Sequence, residues 1–203
     1  MTQQQLPLDL QRLAAQGKQQ SFKKGALIFK DGDNGDGFYI LLEGRVRAFG
    51  SAISGKEITY GYVAAGEYFG ELTLDGGNRS ANVEALEPCL CAIVSNAQLE
   101  DFMLEHPKFG TDMLHTVIRR ARQSTDNARN IALMDVYSRL KRAIEKVTPE
   151  INTGINITHA ELAADVGASR EMVSKLLKDL EIGGYINIQS RKLSRLKILP
   201  VRW

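Results

Sequence analysis

The sequence predicts an α+β chain in three consecutive parts: a small antiparallel β-sandwich or barrel, one long helix, and a helix-turn-helix followed by a hairpin. Three observations carry this expectation. Short apolar or alternating runs, punctuated by glycine, recur between residues 22 and 94, the spacing of an antiparallel β domain. A helical pattern then continues over residues 110–134. Finally, two short capped helices meet at Gly167, the layout of a helix-turn-helix.

Composition narrows the possibilities. A chain of 203 residues, 43% hydrophobic and 25% charged, has room for one or two domains with real cores. No apolar run approaches a bilayer span, and residues 1–5 lack the basic-then-apolar layout of a secretion signal, so the cytoplasm is the expected location. A net charge of +2 does not argue for nucleic acid by itself. Cys89 and Cys91, two apart on one strand face, read as small buried apolar residues rather than a disulfide. His106, His115 and His159 are scattered without metal-ligand spacing. With no catalytic dyad and no P-loop, neither an enzyme nor a metal or cofactor site is expected.

Taken in order, residues 1–20 carry a weak helical pattern (Leu6, Leu10, Leu13) and read as a short leading helix. Strand-like runs follow at residues 26–29, 38–42, 45–49, 57–63, 81–86 and 89–94, with turn signals such as Glu43-Gly44 and Ala65-Gly66 between them. Residues 96–109 look helical and break at His106-Pro107. In the long helix, Leu114, Val117, Ala121, Ser124, Ala128 and Ile131 alternate three and four apart. That seam suits a parallel helix pair in a homodimer, the alternative being an amphipathic helix packed on the sheet. Asp135 reads as the N-cap of a further helix over residues 136–146, making Met134-Asp135 a hinge. The expected domains are therefore residues 1–109, 110–134 and 135–203.

In the last part, Thr158-His159-Ala160-Glu161 has the form of a capping box, and Ser169 caps a second helix with Val173, Leu176, Leu177 and Leu180 inward. Ser169, Arg170, Glu171, Ser174 and Lys175 lie outward near its start, where base edges are read in a major groove. Residues 185–188 and 197–199 read as a hairpin with a basic tip of Arg191, Lys192 and Arg195 suited to phosphates. Double-stranded DNA is the expected partner.

Residues 70–81 interrupt the strand series with an acid, a glycine-rich turn and an Arg-Ser pair. Glu71 can accept from vicinal hydroxyls, Arg79 offers a fork of donors for a phosphate, and the Ser80 hydroxyl with nearby N–H groups completes an anion nest. The combination suits a ribose bearing a phosphate. A plain turn with Arg79 in a surface ion pair is the other reading.

Taken together, the chain resembles the Crp/Fnr family of bacterial transcription regulators over nearly its whole length. Residues 70–72 and 79–81 resemble the family's phosphate-binding cassette, residues 131–136 its hinge, and residues 166–173 its DNA-reading turn and helix. The resemblance implies a jelly-roll-like cyclic-nucleotide-binding β-roll, a long dimerisation helix and a winged helix-turn-helix. It implies cyclic AMP as allosteric effector: Glu71 with the Gly70 backbone on the ribose, and Arg79 with Ser80 and Ala81 on the phosphate beside Leu72. Ser124 and Thr125 would face the adenine, with Arg120 one turn earlier. Arg170 and Glu171 would read a TGTGA-like half-site, and RNA polymerase would be a further partner. The sequence departs from the family in a shorter loop between Leu72 and Arg79. It also has Lys175 where a third base-reading arginine is expected, and lysine lacks the bidentate fork. Cyclic GMP, another small effector or none at all are the alternatives within this architecture.

Overall fold

The computed structural model describes residues 6–35, 37–189 and 191–203. The chain divides into two compact units, one of residues up to Gly50 with Tyr60–Arg122, the other of Ser51–Thr59 with Gln123–Trp203.

The first unit begins with α1 (Leu8–Gln16), which buries Leu10 and Leu13. Strands β1 (Lys18–Phe22), β2 (Leu27–Phe29), β3 (Gly37–Glu43), β4 (Arg45–Ser51), β5 (Glu57–Ala64) and β6 (Tyr68–Phe69) follow. A 3-10 turn (Glu71–Asp75), β7 (Asn82–Ala85), β8 (Cys89–Ser95) and α2 (Asn96–Glu105) come next, and the unit runs on to Arg122, while residues 51–59, with the start of β5, group with the second unit. Among the described residues the strands form two sheets, in orders β1-β8-β3-β6 and β2-β7-β4-β5. β8 runs antiparallel to β1 and β3, and β7 antiparallel to β2 and β4.

Strand periodicity explains how the first sheet is buried on both faces, because successive side chains point to opposite sides. Phe38 and Ile40 of β3 with Ala92 and Val94 of β8 pack against Leu10, Leu13, Leu99, Phe102, Phe109 and Met113. Leu41 of β3 with Cys89 and Cys91 of β8 joins Val46, Val63, Phe69, Val83 and Ala85. The cysteines are thus buried neighbours on one strand face and are free thiols. Burial pushes the Cys91 thiol up to about 12, which keeps it protonated and inert at neutral pH.

α3 runs Pro107–Leu133, starting three residues before the expected point. Pro107 opens the helix instead of breaking it, since a first-turn N–H has no helical partner to lose. Only its early residues Phe109 and Met113 are buried, so packing on the sheet accounts for the first two turns alone. Leu114 and Ile131 of the heptad seam are 57% and 40% exposed.

The second unit contains α4 (Val136–Val147), β9 (Gly154–Asn156), α5 (His159–Val166), α6 (Arg170–Ile182), β10 (Ile186–Gln189) and β11 (Lys192–Arg195). Leu140, Ile144, Leu162, Val173, Leu177, Leu180, Ile186 and Leu193 make its core. The small sheet has order β10-β11-β9. Three expectations are corrected here. β9 is a third strand beyond the expected hairpin, and β11 covers residues 192–195 rather than 197–199. Arg195 is not a phosphate-facing tip residue, because its guanidinium donates to the carbonyls of Thr148 and Pro149 at 3.0 and 2.8 Å. It thereby satisfies the carbonyl end of α4.

Candidate functional site

β6 delivers the chain into Gly70, whose φ of 88° is a left-handed conformation, and the 3-10 turn closes on Gly76 at φ 82°. Only glycine serves at position 70 for a second reason: a Cβ there would stand 2.7 Å from Arg79 Nη1. Inside the turn, the Thr73 hydroxyl donates to the Gly70 carbonyl at 3.1 Å and Thr73 is 1% exposed.

The two charged residues of this stretch are buried, not displayed. Arg79 is 3% exposed, donating from Nη1 to Gly70 O at 3.0 Å and from Nη2 to Gly37 O at 2.7 Å. Its guanidinium lies over the Phe29 ring at 4.3 Å and near that of Tyr39 at 5.4 Å, favourable for a desolvated cation. The surface-ion-pair reading of Arg79 is therefore set aside. Glu71 is 6% exposed and its Oε1 accepts from Arg120 Nη1 at 2.7 Å. Arg120 reaches it from α3 and also donates from Nη2 to Tyr68 O at 2.7 Å.

The fold therefore gathers Gly70, Glu71, Arg79 and Arg120. Leu72 is exposed, Ser80 is exposed and Ala81 is half-buried. Ser124 and Thr125 are exposed on α3 and belong to the second unit. Sequence reasoning missed Thr73, Tyr68, Phe29 and Asn96, whose roles depend on backbone carbonyls and aromatic walls that no local pattern announces. The donor set fits a cyclic nucleotide. Arg120 occupies one oxygen of Glu71, and a carboxylate accepts at several sites. Arg79 donates to two carbonyls and carries the charge a phosphate needs.

In the second unit, Thr158 accepts from Glu161 N at 3.1 Å while Glu161 accepts from Thr158 N, completing the capping box. Gly167 makes the turn at φ 63°. Ser169 Oγ accepts from Met172 N at 3.2 Å, so this residue caps α6. Arg170, Glu171 and Lys175 are exposed on α6, opposite the buried Val173, Leu177 and Leu180. Ser174 is half-buried, and its hydroxyl lies 2.9 Å from His159 Nδ1 at the start of α5.

The junction between α3 and α4 is built from two polar devices. Asp135 caps α4 by accepting from Ser138 N at 2.7 Å, and these bonds hold its carboxyl below the usual carboxylate range. Arg139 donates to Met134 O at 2.8 Å and Ile131 O at 3.1 Å on α3, and to Val166 O at 2.8 Å at the end of α5.

This architecture defines a ligand-binding β domain joined to a DNA-reading helix-turn-helix. Residues 19–106 match the family model described as Cyclic nucleotide-binding domain, and residues 133–200 match Crp-like helix-turn-helix domain. The chain is 30% identical over 159 residues to the "cAMP-activated global transcriptional regulator CRP" of Pasteurella multocida, covering 74% of this chain and 76% of that one. It is 26% identical over 196 residues to the "CRP-like cAMP-activated global transcriptional regulator" of Mycobacterium tuberculosis, covering 92% and 88%. The c-di-GMP responsive global regulator CLP of Xanthomonas campestris shares the fold, with a TM-score of 0.86 at 22% identity over 93% of this chain and 98% of that one. The chain belongs to the Crp/Fnr family of transcription regulators, with a cyclic-nucleotide-binding domain and a DNA-binding helix-turn-helix.

Proposed function

We propose that this chain is a cytoplasmic, cyclic-AMP-responsive regulator that binds a palindromic TGTGA-like DNA site as a homodimer through α3. The observation that carries the reading is the burial of Glu71 and Arg79 around the left-handed Gly70, an acid for a ribose hydroxyl beside a cation for a phosphate. Relatives named as cAMP-activated regulators support the choice of effector. Gly70, Glu71, Leu72, Arg79, Ser80, Ala81 and Arg120 take the sugar and phosphate, and Ser124 and Thr125 take the base. The exposed Leu114 and Ile131 of the seam are the surface a second α3 covers.

In this reading residues 1–109 bind effector, residues 110–134 dimerise and residues 135–203 bind DNA. Effector and DNA are coupled because the nucleotide binds two hinge states with different affinities. Active dimers place their α6 helices about one DNA turn apart, roughly 34 Å. RNA polymerase is the partner that such a regulator addresses. No catalytic step is assigned.

The test is calorimetry of the purified protein with cyclic AMP, cyclic GMP and c-di-GMP, followed by DNA affinity with and without each. Heat and a gain in DNA affinity with cyclic AMP alone are expected. A response to another nucleotide would move the assignment to that effector within the same architecture. No heat and unchanged DNA affinity with any of them would overturn nucleotide control.

A further inference from the structure

Two pieces of chain meet at the cassette: one carries Gly35 and Gly37, the other is residues 70–73. Arg79 fastens one end of each, through Gly37 O and Gly70 O. Asn96, the first residue of α2, fastens the other end of each: its Nδ2 donates to Gly35 O at 3.3 Å and to Thr73 O at 3.2 Å. The amide orientation follows from these partners, since turning it over would set Oδ1 against two carbonyl oxygens. The approach is close, because a Cβ on Gly35 would lie 2.1 Å from Thr73 Cγ2. Asn96 Oδ1 is buried with no hydrogen-bond partner among the described residues, an arrangement that costs stability. Asn96 thus stabilises through its amide nitrogen and costs stability through its oxygen.

We propose that Asn96 is the positioning residue for the phosphate end of the site. It holds Gly35 against Thr73 while Arg79 redirects donors from carbonyls to a ligand phosphate. The inference rests on the cyclic-nucleotide reading above. Arg79 has two duties there, one structural and one toward the anion, and each hydrogen bond given to phosphate is one that can be drawn from Gly37 or Gly70. With Asn96 in place the two segments stay joined through Gly35 and Thr73, and the guanidinium turns without the cassette opening. The Thr73 hydroxyl extends the brace to Gly70 O, one of the carbonyls that Arg79 itself holds.

The experiment is titration calorimetry of the full chain, wild type, Asn96→Ala and Asn96→Asp, against cyclic AMP and against adenosine, which has the same base and a ribose but no phosphate. Asn96→Ala is expected to weaken cyclic AMP binding about tenfold, the worth of one to two hydrogen bonds, with adenosine affinity unchanged. Its thermal midpoint should fall only slightly, because the carbonyls of Gly35 and Thr73 lose a donor while the orphaned oxygen is removed. Asn96→Asp, which sets carboxylate oxygens against the two carbonyls, should weaken cyclic AMP binding at least as much. Unchanged cyclic AMP affinity in both variants, or an equal loss for both ligands, overturns the proposal while leaving the cyclic-nucleotide reading intact. A wild type that binds no cyclic AMP overturns that reading, and this proposal with it.

Discussion

Glu71 and Arg120, 49 residues apart in sequence, are joined by a 2.7 Å ion pair whose acidic partner is almost wholly buried. The acid of the ligand cassette is therefore bound to the long helix by its own charge. Desolvation makes such a pair asymmetric: neither charge is cheap to leave alone, and the buried one is the costlier.

Arg120→Leu should destabilise the fold by about 1–2 kcal/mol, a buried-pair cost reduced because the arginine is one-third exposed. Adding Glu71→Gln should recover most of that loss, since a neutral amide does not need the cation. Urea denaturation of both variants checks it. Equal stability of the single and double variants would mean that the pair is solvent-screened.

Arg79→Leu should abolish nucleotide binding and also lower stability, because the Gly37 carbonyl loses this donor and the Gly70 carbonyl is left with the Thr73 hydroxyl. A cost of about 1–3 kcal/mol is expected for leaving such acceptors buried. Thermal denaturation together with calorimetry reads the two effects separately. Full stability with lost binding would show that Arg79 serves the ligand alone.

Glu171→Ala should relax discrimination at one base pair by about 1–3 kcal/mol while leaving binding to unrelated DNA unchanged. Competition binding against singly substituted half-sites measures it. A uniform loss over all sequences would instead assign Glu171 to supporting its neighbours on α6.

Asp135 gives a pH signature. Its folded pKa is depressed, so its contribution is full above the unfolded value and disappears as pH falls through the lowered folded value. Asp135→Asn keeps a capping oxygen that does not titrate. The stability of wild type relative to this variant should therefore fall with acid below the ordinary carboxylate range and stay flat from pH 5 to 7. A difference independent of pH would rule out the cap's charge as its source.

The long elements were legible because their patterns are local. The capping box at Thr158 and Glu161, the Asp135 cap and the Gly167 turn are each set by neighbours in sequence. β1, with the sequence KQQSF, was hidden because it is paired through its backbone to β8 and buries little of its own. β11 was misplaced for a similar reason. Leu193 is its single core residue, whereas Leu199, in the more apolar stretch, reaches the core from an irregular segment. In the cassette, residue types announced the charges but not their burial. Whether Arg79 meets solvent depends on Phe29 and Tyr39, which lie far earlier in the chain. Non-local packing of this kind leaves no periodic trace.

The single guanidinium of Arg139 is a rivet. It is planar and rigid, and it grips carbonyls from the last turn of α3 and the last residue of α5 at once. The end of the long helix and the turn that precedes α6 therefore share one anchor. A lysine in that position, a point charge on a flexible stem, would hold them less firmly.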